Sequence, residues 1–140
     1  MKEELQTILR ETYPSFFRRM TEPDRTRLFI ECDDGWFDLI CKACEEIKNC
    51  NPSEGFCLAH IKEKFGGLRI YADEGNTKIY DILDIIEQES FGVCEACGTK
   101  DGVTSEGRWI RSLCSNCRSK KILPLDEDDL RPEYDLTNSN

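Results

Sequence analysis

CEACG at residues 94–98 and LCSNC at residues 113–117 together read C-x₂-C-x₁₆-C-x₂-C. Two residues between thiols allow a tight turn to aim both sulfurs at one ion, and Gly98 lets the backbone curl beneath it. Cys94, Cys97, Cys114 and Cys117 therefore form a candidate Cys₄ metal site. Four soft thiolates with no open coordination position suit one structural Zn²⁺ per chain, with a rubredoxin-like iron as the chemical alternative.

Working outward, the connecting residues GTKDGVTSEGRWIRSL can form a β-hairpin with glycines at its bends. CSNCRSKK can then start a short helix that carries the second cysteine pair at its N-terminus. Knuckle, hairpin and helix describe a treble clef, and a zinc ribbon with a third strand is the alternative. Treble clefs also house HNH-type nucleases, whose catalytic metal needs histidines. This chain has one histidine, His60, distant in sequence from the cysteines. No phosphate cradle, serine nucleophile or dinucleotide fingerprint occurs, and a closed Cys₄ shell holds no activated water. A metal-dependent nuclease is thereby disfavoured, and the expected role is non-enzymatic.

The chain has 140 residues and a net charge of -9, unevenly spread. Residues 1–93 carry 12 basic and 19 acidic groups, residues 94–121 carry 6 and 3, and residues 122–140 carry 1 and 6. Four thiolates and a divalent ion would reduce the middle segment from +3 to about +1. That is a weak lure for a phosphate backbone, which selects strongly basic patches. No run approaches the ~20 apolar residues of a transmembrane helix, so no membrane partner is expected. Nine cysteines with four in metal spacing fit a disulfide framework poorly. The N-terminal MKEELQTILRETYP lacks the apolar region of a secretory signal. A reducing cytoplasm is the expected location.

The rest of the chain predicts an α+β protein: a mainly helical N-terminal part at 1–91 with short strands, the Cys₄ module at 92–121, and an acidic, disordered tail at 122–140. Leu5, Ile8 and Leu9 share one face of a helix over 2–12, which Tyr13-Pro14 interrupts. TRLFIEC has strand composition and leads into the turn DDGW. Phe37, Ile40, Cys41, Cys44 and Ile47 mark a helix over 35–48, with Asp33 or Asp34 as N-cap. FCLAHIKEKF is expected to form a short helix stopped by Gly66-Gly67, followed by a strand at LRIYA. Ile79, Ile82, Leu83 and Ile86 stripe a helix over 77–90, capped by Asn76 or Thr77.

Several side chains outside the metal shell are candidates for function. Cys41 and Cys44 repeat the metal spacing, and Cys50, Cys57 and His60 lie nearby, so a second metal site is conceivable. Helical spacing instead points the pair into the core as small hydrophobes, with His60 on a helix surface. Arg108, Trp109 and Arg111, with Arg118, Lys120 and Lys121 downstream, could stack a base and contact phosphates, or contact a protein. Alternatively Trp109 packs on the module's helix with the arginines solvated. Asp126, Glu127, Asp128 and Asp129 could imitate a phosphate backbone on a partner, or serve only to solubilise.

FIECDDGWFDLI, KEKFGGLRIY and the module beginning CEACG resemble, in that order, a family of small uncharacterised proteins of phages and bacterial prophage regions. The resemblance covers residues 13–117, and KEKFGGLRIY is its most specific piece. Members of that family usually read Gly-Asp-Gly-Trp where this chain has Asp33-Asp34-Gly35-Trp36, and they vary at the ligand that is Cys117 here. The resemblance implies a phage-type context in a bacterial host and a metal site, not a reaction. With the acidic balance it favours a protein partner, such as a host defence or regulatory complex that the chain inhibits. The alternative is a nucleic-acid-binding zinc accessory protein acting in transcription.

Overall fold

The computed structural model describes residues 1–23 and 25–122, and for Lys121 and Ile122 the backbone only. The expectations for Asp126, Glu127, Asp128, Asp129 and the rest of the tail lie outside the described residues. The fold is α+β, with four α-helices and two small sheets among the described residues.

Helix α1 (Glu3–Thr12) is followed by turns and a short 3₁₀ segment, then the two-residue strand β1 (Ile30–Glu31). A 3₁₀ turn (Asp34–Trp36) leads directly into α2 (Phe37–Lys48). Neither Asp33 nor Asp34 caps this helix through its side chain, contrary to the sequence expectation. Asp34 accepts a hydrogen bond from the Lys2 amide, and Asp33 is drawn to Arg111. The buried stripe of α2 is also turned from the expected one. Leu39, Ile40, Ala43, Cys44 and Ile47 are buried, while Phe37 and Cys41 sit at its margin.

The main correction lies at residues 56–73. FCLAHIKEKF is not helical: β2 (Cys57–Lys64) and β3 (Gly67–Asp73) form an antiparallel hairpin in which Lys64 faces Gly67. The two residues between them, Phe65 and Gly66, both have positive φ, at 53° and 88°. That is the backbone of a two-residue hairpin turn whose twist matches the flanking strands. The glycines that were expected to end a helix instead close a hairpin. Pairing of β2 with β1 in parallel completes a three-stranded sheet in the order β1-β2-β3. His60 is accordingly on a strand, with a ring nitrogen 2.7 Å from Glu31 Oε1.

Helix α3 (Thr77–Ser90) starts where Asn76 accepts a hydrogen bond from the Ile79 amide at 2.9 Å, as its sequence suggests. It buries Ile79, Leu83 and Ile86 against the sheet and α2. The resulting core runs from Leu9 through Phe17, Trp36, Ile40, Phe56 and Ile61 to Val93. Beyond it lie a second hairpin, β4 (Val103–Glu106) and β5 (Arg111–Cys114), and the helix α4 (Ser115–Ile122). Knuckle, hairpin and helix thus follow in treble-clef order, with α4 rather than a third strand after Cys114.

Candidate metal centre and the surface beside it

The knuckle at 94–99 closes on itself. Cys94 donates its amide to Thr99 O, and Gly98 donates to Cys94 O, both at 2.8 Å. Gly98 has φ +85°, which glycine adopts without penalty. Cys114 ends β5 and Cys117 lies in the first turn of α4, so strand and helix present the second pair from either side of one junction. The Cys117 amide donates to Cys114 Sγ at 3.4 Å. All four sulfurs lie within 4.8 Å of one another, and Cys97 and Cys114 are 3.9 Å apart. A tetrahedral ion with metal–sulfur bonds of about 2.3 Å requires sulfurs about 3.8 Å apart. The four cysteines therefore lie close enough to bind one metal ion.

Two of the four thiols are shifted in opposite directions. Burial raises the Cys94 thiol, but backbone amides of Cys114, Cys97 and Ala96 outweigh it and bring the pKa down to about 6. Burial pushes Cys117 up to about 12, reinforced by the neighbouring sulfurs of Cys114, Cys97 and Cys94. The surroundings thus favour the Cys94 thiolate and resist that of Cys117. A divalent ion at the centre of the cluster reverses that resistance.

The other cysteines behave differently. Burial pushes Cys44 upward, Cys41 up to about 11 and Cys32 up to about 12, with nearby carboxylates adding to all three. Cys44 and Cys32 lie in the core, as the helical spacing suggests for Cys44, and Cys41 packs at its margin. Cys50 donates to the Glu46 carbonyl one turn earlier. Among the described residues, the four-cysteine group is the one cluster of potential metal ligands.

The knuckle is bolted to the N-terminal core by several contacts, two of them through Glu95 and Ser112, which the sequence did not single out. The Trp36 indole donates to Val93 O at 2.9 Å, and the Gly35 amide to Glu95 O at 2.7 Å. A side chain at Gly35 would clash with the backbone carbonyls of Cys94 and Glu95. The Glu95 carboxylate, with its side chain only 3% exposed, accepts from the Asp33 amide at 3.0 Å and from Arg111 Nε at 2.9 Å. Arg111 also reaches Asp33 Oδ2 at 3.1 Å. Ser112 Oγ donates to Gly66 O at 2.6 Å, tying the two hairpins together.

Burial raises the Glu95 carboxyl despite the Asp33 amide and Arg111, whereas Glu95 and Asp33 raise Arg111 despite its burial. The Asp33 amide, Arg111 Nε and Arg111 Nη2, the last at 2.8 Å from Oε1, hold the Glu95 carboxylate as the anion of an ion pair. DDGW, KFGG and CEACG, far apart in sequence, meet at this seam.

Arg111 is thus committed to the fold rather than to solvent. Arg118 is likewise occupied, donating to the carbonyls of Glu106, Thr104 and Arg111. Trp109 does not pack away on α4: it is 65% exposed at the hairpin tip, next to Ile110 at 41%. Phe65, 67% exposed, projects from the neighbouring β2–β3 turn. A groove of about 460 Å³ runs between the two tips, lined by Glu63, Phe65, Arg108, Trp109, Ile110 and Arg111. Sequence reasoning found Arg108 and Trp109 but missed Phe65, because KEKFGG was read as a helix end. No helix among the described residues is long and apolar enough to cross a membrane. No family model, curated protein or solved structure matches the chain at a significant level.

Proposed function

We propose that this is a non-enzymatic, zinc-stabilised protein that binds another protein through the paired hairpin tips. The observation that carries this is the juxtaposition of Phe65 and Trp109, two large aromatics left in water on adjacent rigid turns. Exposed aromatics beside an arginine are the composition of an interface hot spot. The seam beneath them fixes their relative position, so little ordering is needed on binding.

Zinc is the ion best suited to four thiolates in a closed shell, and its role is structural. Metal analysis of the purified chain should give one zinc. Two would place a second site among Cys41, Cys44, Cys50, Cys57 and His60.

The phage-type resemblance points to a host protein in the bacterial cytoplasm, held or inhibited by this chain. A net charge of -9 opposes the alternative, nucleic-acid binding by Arg108, Trp109 and Lys120. Affinity purification of tagged wild type from a bacterial host, beside Trp109→Ala, tests the proposal. The partner should be retained by wild type and lost by the variant, with zinc content unchanged. Undiminished capture by Trp109→Ala would place the interface elsewhere. Tight DNA binding that weakens steeply with salt would favour the nucleic-acid role instead.

A further inference from the structure

The two strands of the second hairpin are held unequally. β5 is buried from Ser112 to Cys114 and tied to the seam: the Glu95 amide donates to Ser112 O at 2.9 Å, and Ser112 Oγ donates to Gly66 O. β4 has no buried residue. Val103 is half-buried against the cysteine cluster, and Thr104, Ser105 and Glu106 are exposed. A two-stranded ribbon with so little burial is marginal by itself. Beyond its ladder with β5, β4 is held by Ser105, whose hydroxyl lies 2.7 Å from Ser112 Oγ and 3.5 Å from Phe91 O, and by Arg118.

Arg118 grips both strands at the rung nearest the tip. Glu106 and Arg111 are the last pair of the ladder, and residues 107–110 extend beyond them. Arg118 Nη1 donates to Glu106 O at 3.1 Å, while Nη2 donates to Arg111 O at 2.9 Å and to Thr104 O at 2.6 Å. A planar guanidinium can span three carbonyls in this way, whereas a lysine ammonium is a single point on a flexible stem. A cleft of about 490 Å³ has Gly107, Trp109, Leu113 and Arg118 in its wall. Tip and α4 are therefore joined there by hydrogen bonds more than by packing.

The place of Arg118 depends in turn on the metal cluster. α4 has eight residues, too few for a stable isolated helix. Among its described side chains only Cys117 is buried, and Arg118 is the next residue. An ion that fixes Cys117 therefore fixes the base of the Arg118 side chain. We propose that Arg118 is a positioning residue that carries the order of the metal cluster to the hairpin tip and so sets how Trp109 and Ile110 are presented. Its use in binding rests on the proposed function, but the order of the tip is measured without a partner, so the two readings fail separately.

The experiment uses the full chain loaded with zinc, or with cobalt as a spectroscopic stand-in whose absorption bands report the thiolate shell. Arg118→Ala should still hold one metal ion, with the cobalt spectrum of wild type. The ladder amides of residues 104–106 and 111–113 should exchange with solvent about tenfold faster or more, the scale of one lost hydrogen bond to a charged group. Amides of Cys94 and Gly98 in the knuckle, and those of α2 and α3, should keep their wild-type rates. Arg118→Lys, which retains the charge but not the fork, should recover only part of the ladder protection. Unchanged ladder exchange in Arg118→Ala would overturn the proposal. Full recovery by Arg118→Lys would also overturn it, because a nearby charge would then suffice. So would lost metal or an altered cobalt spectrum in both variants, which would assign Arg118 to upkeep of the metal shell.

Discussion

The two halves of this molecule are held by different forces. From Leu9 to Val93, buried aliphatic and aromatic side chains form a continuous core. From Cys94 to Cys117, the buried apolar cluster is Leu113 and three cysteines, with Ala96 and Val103 against it. The first region can be stabilised by burial at ~25 cal/mol per Å². The second has little to bury, and its further contacts are the seam with its neighbour and four cysteines close enough to bind a metal ion. Specificity of position and source of stability are therefore separated. The core supplies a platform, and the metal-dependent region presents the hairpin that carries Trp109.

The sharpest way to break this comparison is to remove the metal. Structural zinc contributes on the order of 10 kcal/mol in small modules, more than the apolar cluster there can replace. Cys94→Ser with Cys97→Ser should abolish hydrogen-exchange protection across residues 94–122 while α1, α2 and α3 keep theirs. Collapse of protection throughout, with loss of helical circular dichroism, would mean that the two regions are one inseparable core.

Next in size is the anchor of the seam from the core side. Trp36 is fully buried and donates its indole N–H to Val93 O. Trp36→Ala should cost about 3–5 kcal/mol in urea unfolding of the zinc-loaded protein. A loss below about 1 kcal/mol would show that the regions lean on each other far less than the contacts suggest.

A smaller effect is expected at the ion pair. Arg111→Ala leaves Glu95 buried without its cation, at a cost of about 2–3 kcal/mol, moderated because the guanidinium is 26% exposed. Adding Glu95→Gln should restore part of that stability, since a neutral amide does not need the cation. A double variant less stable than Arg111→Ala alone would mean that Glu95 acts chiefly through the Asp33 amide.

Sequence legibility divides along the same line. The metal cluster could be read because ligand chemistry imposes a spacing, and α3 because Ile79, Leu83 and Ile86 repeat at helical period with Asn76 before them. The β2–β3 hairpin could not. In FCLAHIKEKFGG the buried Phe56, Cys57 and Leu58 are consecutive and Ile61 follows three residues later, and the register shifts between Leu58 and His60. That irregularity erases the two-residue period. Glu95 left no trace either, because a glutamate between two cysteines looks solvated until Arg111 and the Asp33 amide are brought to it by the fold. Tertiary partners, not local pattern, decide both.

The smallest predicted effect carries the opposite sign. Phe65 occupies the first position of a two-residue turn that favours Asn-Gly, because both residues need positive φ. An L-residue with a bulky side chain pays about 1–2 kcal/mol there, and asparagine relieves part of it. The exposed ring offers little in return: 67% of the residue is in water, and Lys64 over the ring contributes about 0.5 kcal/mol. Phe65→Asn should therefore stabilise the zinc-loaded protein by about 0.5–1 kcal/mol, raising its melting temperature by a few degrees. The same variant should lose partner capture. A turn residue that costs stability yet presents an aromatic to solvent fits a binding role better than a folding one. If Phe65→Asn instead lowers the melting temperature, the ring supports the fold by packing on the Ile110 side of the groove. The hairpin tips would then belong to the seam, and the boundary between platform and presented surface would move outward.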